Sequence, residues 1–100
     1  MAAHVFTTVP WVWEASTGPN GWVFVSLPED LSDLVAETGR TGGFGAVRVE
    51  VTCGATTWRT SVFPDAGRGC YVLPLKKAVR TAEGIEVGTA VTLHLELVDG

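Results

Sequence analysis

One hundred residues, 46% hydrophobic and 18% charged, suffice for a single domain, residues 1–100, that buries about two-thirds of its unfolded surface. A net charge of −4 argues against a protein that coats nucleic acid non-specifically, and no stretch nears the ~20 apolar residues of a membrane helix. Two cysteines, Cys53 and Cys70, are too few for a disulfide scaffold. Met1-Ala2-Ala3-His4 lacks the basic-then-apolar pattern of a signal peptide, so a cytoplasmic protein with buried, reduced thiols is expected.

The first element, His4 to Trp13, reads as a strand with Val5, Thr7, Val9, Trp11 and Trp13 on one face and an edge or bulge at Pro10. Ser16 to Gly21 is a turn cluster, which makes Trp22 to Leu27 a hairpin partner. Pro28 then opens a helix whose first turn is acidic (Glu29, Asp30, Asp33). Leu31, Leu34 and Val35 form its buried stripe, and Gly39 ends it. After an Arg40–Gly43 loop, Phe44 to Cys53 alternates strictly, with Val47, Val49, Val51 and Cys53 turned one way. Gly54-Ala55 is a tight turn into a strand from Thr56 to Phe63, and Pro64 to Gly69 is a second turn cluster. Cys70 to Leu73 is a short strand. Pro74 starts a second helix that ends near Gly84, and Thr89 to Val98 is a last strand burying Val91, Leu93, Leu95 and Leu97.

The order is ββαβ twice, and the halves echo each other: Gly21-Trp22 to Leu27-Pro28 returns in outline as Gly67 to Leu73-Pro74. Six strands with one apolar face and two short helices favour a closed, mostly β barrel made of two repeats, with the helices plugging its ends.

All seven basic residues fall between positions 40 and 80, where only Glu50 and Asp65 oppose them. That segment carries +5 and the flanks −9. Leu73 as N-cap of the second helix cannot accept the orphan backbone donors, and Lys76, Lys77 and Arg80 add positive charge where the helix dipole is already positive. These are the ingredients of an anion site; the competing reading is a solvated helix face. Alternation in the fourth strand, Thr56 to Phe63, sends Trp58, Thr60 and Val62 one way and Arg59, Ser61 and Phe63 the other, with Arg48 placed to lie beside Arg59. Trp58 and Trp22 read as core, or as a stacking surface beside the cations. Trp11 and Trp13 are positioned to line a pocket mouth. His4 and His94 stand alone and neither cysteine has a zinc-like partner, so no metal or cofactor is expected. No catalytic motif is present, so an enzyme is disfavoured and no catalytic residue is assigned.

Thr57 to Pro64, Gly69 to Arg80 and Gly84 to Gly88, together with Gly21-Trp22 and Leu27-Pro28, resemble a small bacterial and archaeal family catalogued only as a domain of unknown function. Some of its members carry the domain beside a YdeI/OmpD-associated, bacteriocin-protection segment, which is not read in this chain. The resemblance implies a closed β-barrel, and the duplication is similar at fold level to cradle-loop barrels. Gly88-Thr89 departs from the Gly-Asp that such families often place before the last strand, which removes a carboxylate role at that corner. The resemblance brings no site residues. The functional expectation is a non-catalytic module, monomeric or homodimeric, binding an anionic small molecule or phosphate-bearing ligand through Trp58, Arg59, Lys76, Lys77 and Arg80. A nucleic-acid-binding barrel and a ligand-free protein-interaction domain are the alternatives.

Overall fold

The computed structural model describes residues 3–13, 22–38 and 45–98. The expected Ser16–Gly21 turn, the Gly39 helix end and the Arg40–Gly43 loop lie outside them. The chain runs β1 (His4–Thr8), β2 (Trp11–Val12), β3 (Val23–Ser26), α1 (Glu29–Thr38), β4 (Val47–Cys53), β5 (Thr56–Asp65), β6 (Cys70–Pro74), α2 (Lys77–Glu83) and β7 (Val91–Leu97). The strands form one antiparallel sheet in the order β1-β7-β4-β5-β6-β3-β2.

The expected closed barrel of six strands is instead an open, curled sheet of seven, a half-barrel. The reason is Pro10, which has no backbone N–H for a ladder. It splits the first strand, and the two pieces pair at opposite edges of the sheet, β1 on β7 and β2 on β3. In a flat sheet of seven strands, spacings of about 4.8 Å would hold those edges about 29 Å apart. Only Val9 and Pro10 join them, and the three Cα steps from Thr8 to Trp11 reach no more than about 11 Å. The sheet must therefore curl. Pro10 is buried at the joint, its carbonyl accepts the Gly88 N–H (3.1 Å), and Thr8 Oγ1 donates to the Ser26 carbonyl of β3 (3.2 Å). Side chains and loops thus hold the two edges near each other without a ladder.

The face of the first strand that carries Val5, Thr7 and Val9 turns outward. Val5 is 59% exposed and Val9 and Trp13 are exposed too, while Phe6 enters the core. Elsewhere alternation holds: Val47, Val49, Val51, Cys53, Val62, Leu93 and Leu95 are buried with Val25 and Leu73 in one cluster. Val91 and Leu97, expected to be buried, are half-buried at the ends of β7. Leu31 and Val35 of α1 complete the core. The buried Ser32 Oγ, one step round the helix, accepts the Tyr71 N–H (2.8 Å) and so docks α1 on β6.

β5 is the corner of the sheet. Thr56–Val62 pair with β4 and Phe63–Asp65 with β6. Pro64 is tolerated because β4 pairing has ended at Val62, so its missing donor faces no ladder.

Helix α2 begins later than expected. Pro74 closes β6 opposite Phe24 and Leu73 is core, so the N-cap is Lys76, in extended conformation and without a side-chain cap. β6 keeps Pro74 because its pairing with β3 persists that far. Gly84 ends α2 in the left-handed region (φ 62°). From α2, Glu83 reaches the β4–β5 turn, where its carboxylate accepts from Thr56 Oγ1 (2.6 Å) and covers Gly54 (φ 58°).

Two stability predictions follow from this corner. A Cβ at Gly54 would collide with the Glu83 carboxylate, whereas at Gly69 (φ 68°) it would meet open space. Gly69→Ala should cost about 1–2 kcal/mol from the left-handed backbone alone, and Gly54→Ala measurably more, as read by urea denaturation. Equal losses would show that Glu83 moves aside freely. Second, burial and then the neighbouring Glu83 carboxylate raise the Cys53 thiol above its ordinary value of 9.0. Above pH 9 the unfolded thiol sheds its proton before the folded one does, so this contribution is constant below that value and stability falls above it. Between pH 8 and pH 10 the wild type should lose more stability than Cys53→Ala.

Candidate functional site

The face of the sheet turned away from the core carries most of the exposed aromatic surface. β2 and β3 are in register, Trp11 opposite Phe24 and Val12 opposite Val23, and the Trp13 N–H donates to the Trp22 carbonyl (2.9 Å) one step further on. Alternation then puts Trp11, Trp13, Phe24 and Trp22 on one face as a block of four rings. Trp11 and Phe24 stack with centroids 5.3 Å apart, and Trp22 and Phe24 stand nearly parallel at 6.4 Å. Trp11 Nε1–H donates to Ser26 Oγ (3.0 Å), which fixes that ring against β3.

The next strand, β6, presents only Val72 and Pro74 on this face, and β5 beyond it presents Phe63. Low side chains between the block of four rings and Phe63 make a groove of about 880 Å³. Val72 is buried beneath it yet lies outside the main core cluster.

The groove has two different ends. At one end is the β5–β6 hairpin, where Asp65 Oδ1 accepts the Gly67 N–H (3.0 Å) and Arg68 N–H (3.3 Å). The Arg68 guanidinium lies 3.5 Å from the centre of the Trp11 ring and 3.9 Å from Asp65 Oδ2, so the charges there are paired. At the other end, the Leu75 N–H donates to the Val23 carbonyl (2.9 Å), which brings Lys76 level with Trp22. Arg48 stands opposite Ser61, two residues before Phe63 on β5. Arg48 and Lys76 both line the groove and are exposed, and among the described residues no carboxylate pairs with either.

Of the five residues singled out from sequence, the structure brings Lys76 to this groove. Lys77 is exposed at the first position of α2. Arg80 folds back, its Nε–H donating to the Leu75 carbonyl (3.1 Å). Arg59 does share the outward face with Arg48, but it is bound to Glu50 directly across the ladder (3.1 Å). Trp58 packs on the core side, and its Nε1–H is buried without an acceptor. Trp11 and Trp13 line the groove as expected of a pocket mouth.

Trp22, read as core, is 60% exposed, because Val23 and Val25 take the core-facing positions of β3. Trp22, Phe24, Phe63 and Arg68 were the residues missed as site components. The signal for the first two was present: Trp11/Trp13 and Trp22/Phe24 share a two-residue spacing on strands already expected to pair. Among the described residues no three His, Cys, Asp or Glu side chains converge as a metal site would require, and no helix is long and apolar enough to cross a membrane. Cys53 is buried and Cys70 half-buried, both as free thiols.

A mostly β domain with two helices, its sheet curled over one core and carrying an aromatic groove on the opposite face, is the class defined here. The chain belongs to the family DUF1905, described as a domain of unknown function, whose model matches residues 6–95. No curated protein matches the chain.

Arg48 and Lys76 are solvent-exposed and, among the described residues, pair with no carboxylate, so neither is expected to hold the fold. Arg48→Ala and Lys76→Ala should each change stability by less than about 0.5 kcal/mol. Phe24→Ala, which removes the ring between Trp11 and Trp22, should cost about 1–3 kcal/mol on the same urea curves.

Proposed function

We propose that this domain is a non-catalytic binding module for an anionic small molecule, held in the aromatic groove with its charge against Arg48 and Lys76. One observation carries the reading: two cations, Arg48 and Lys76, with no carboxylate paired to either among the described residues, line a groove whose walls are mostly apolar. Apolar walls with a few convergent polar groups are the usual composition of a small-ligand site, and about 880 Å³ lies within the common range of about 300–1,000 Å³. Lys76 belongs both to this groove and to the basic stretch that begins α2, so the ligand class expected from sequence is kept while its seat shifts from the helix to the sheet.

The aromatic block beside cations also suits a short single strand of nucleic acid, whose bases stack without sequence preference. The compact groove and a net charge of −4 favour the small molecule.

The test is a thermal-shift screen against inorganic phosphate, sugar phosphates, nucleotides, aromatic carboxylates and short single-stranded DNA at two salt concentrations. One anionic class should raise Tm in a concentration-dependent way. Arg48→Ala and Lys76→Ala should each weaken that binding about tenfold, in line with a charge-assisted contact. A preference for DNA that collapses with salt would support the nucleic-acid reading instead. Binding that is unchanged in both variants would remove the groove from consideration.

A further inference from the structure

The two ends of the groove also indicate which kind of anion it takes, an inference that rests on the reading above. At the hairpin end Asp65 and Arg68 neutralise one another, and the carboxylate disfavours a second anion. At the far end Arg48 and Lys76 line the groove with no carboxylate paired to either among the described residues, which suits a group carrying more than one negative charge. The anion therefore belongs at the Lys76 end. The remaining part of the ligand then lies along β6 toward Trp11.

The Trp11 ring shows what shape stacks on it, from a residue next to those that line the groove. A planar, delocalised group, the Arg68 guanidinium, sits over the ring at 3.5 Å from its centre, which is a stacking distance. Arg68 lies in the exposed 66–69 turn next to Gly67 and Gly69, so it is carried by a segment of the surface and not by the core. The wall behind Trp11 continues as the Phe24 and Trp22 rings, at 5.3 and 6.4 Å intervals. A ligand with a flat heteroaromatic ring at one end and a phosphate at the other matches this layout in shape and in charge.

We propose that the groove selects nucleotide-class ligands, a planar heteroaromatic ring bearing a phosphate. Their ring takes the place of the Arg68 guanidinium on Trp11, and their phosphate meets Arg48 and Lys76. Arg68 is then a built-in competitor for the ring seat, and its removal strengthens binding.

The experiment measures tryptophan-fluorescence quenching and thermal shift with the four ribonucleoside monophosphates, ribose 5-phosphate, inorganic phosphate and adenosine, on wild type and Arg68→Ala. At least one nucleotide should bind about tenfold or more tighter than ribose 5-phosphate, since a stacked base contributes that much. Arg68→Ala should tighten the nucleotide about threefold, the size of a surface cation–π contact, and leave ribose 5-phosphate unchanged. Ribose 5-phosphate binding as well as every nucleotide, or Arg68→Ala weakening the nucleotide, overturns the ring seat while leaving an anion-binding groove intact. Binding of none of these probes, phosphate included, overturns both. Arg68→Lys keeps the charge but not the planar group. It should behave as Arg68→Ala does if stacking is what competes, and as wild type if charge alone does.

Discussion

Two residues, Val9 and Pro10, have to connect the opposite edges of a seven-stranded sheet, and most of the architecture depends on that constraint. The chain cannot span the width of a flat sheet in so few steps, so the sheet wraps around its own apolar face and encloses Val25, Val49, Leu73 and Leu95. The curl then leaves the second face outside. There β2 brings Trp11 and Trp13 next to Phe24 and Trp22 because the strand restarts immediately after the proline. An unbroken first strand would pair along one edge only, and the aromatic block would have no second column.

The groove is likewise a product of side-chain height. Every strand near it alternates, so the strand in the middle decides whether the outer face is a ridge or a trough. β6 offers Val72 and Pro74 where its neighbours offer Phe24 and Phe63. Pro74, which by local rules belongs at a helix start, serves instead as a flat tile under the groove. The α2 start moves to Lys77 in consequence, leaving Lys76 as a cap without an acceptor and with its side chain turned to other use.

How much of this was legible in the sequence depends on whether a residue's neighbours are local. Strict alternation from Val47 to Cys53 identified a core strand because nothing interrupts it, and the positive-φ turn at Gly54 followed from the glycine itself. Leu31, Leu34 and Val35 marked the packing stripe of α1 for the same reason. Facing was misjudged where both faces are apolar: Trp22 against Val23 is a choice that only tertiary pairing makes. The number of strands and the closure of the barrel turned on Pro10, visible as a break but silent about where each fragment would pair. At the candidate site, the clustering of basic residues between 40 and 80 was a fair pointer to Arg48, Arg68 and Lys76. It did not separate these from Arg59 and Arg80, which are occupied by Glu50 and by the Leu75 carbonyl. Such pairings need coordinates of both partners.

The β1–β7 ladder has a consequence for how the protein is made. It joins His4 to Leu95 and Thr8 to Val91, so β1 is synthesised well before the strand it pairs with and must wait for it. Contacts this remote in sequence are slow to form. Until β7 is made, Phe6 lacks its partner strand and β4 presents an unpaired edge to solvent or to any nearby chain. The α1–β6 and β4–β5 contacts can assemble meanwhile. The nascent domain is therefore a half-built sheet with one sticky side until β7 arrives, and that interval is when it is most exposed to misassembly.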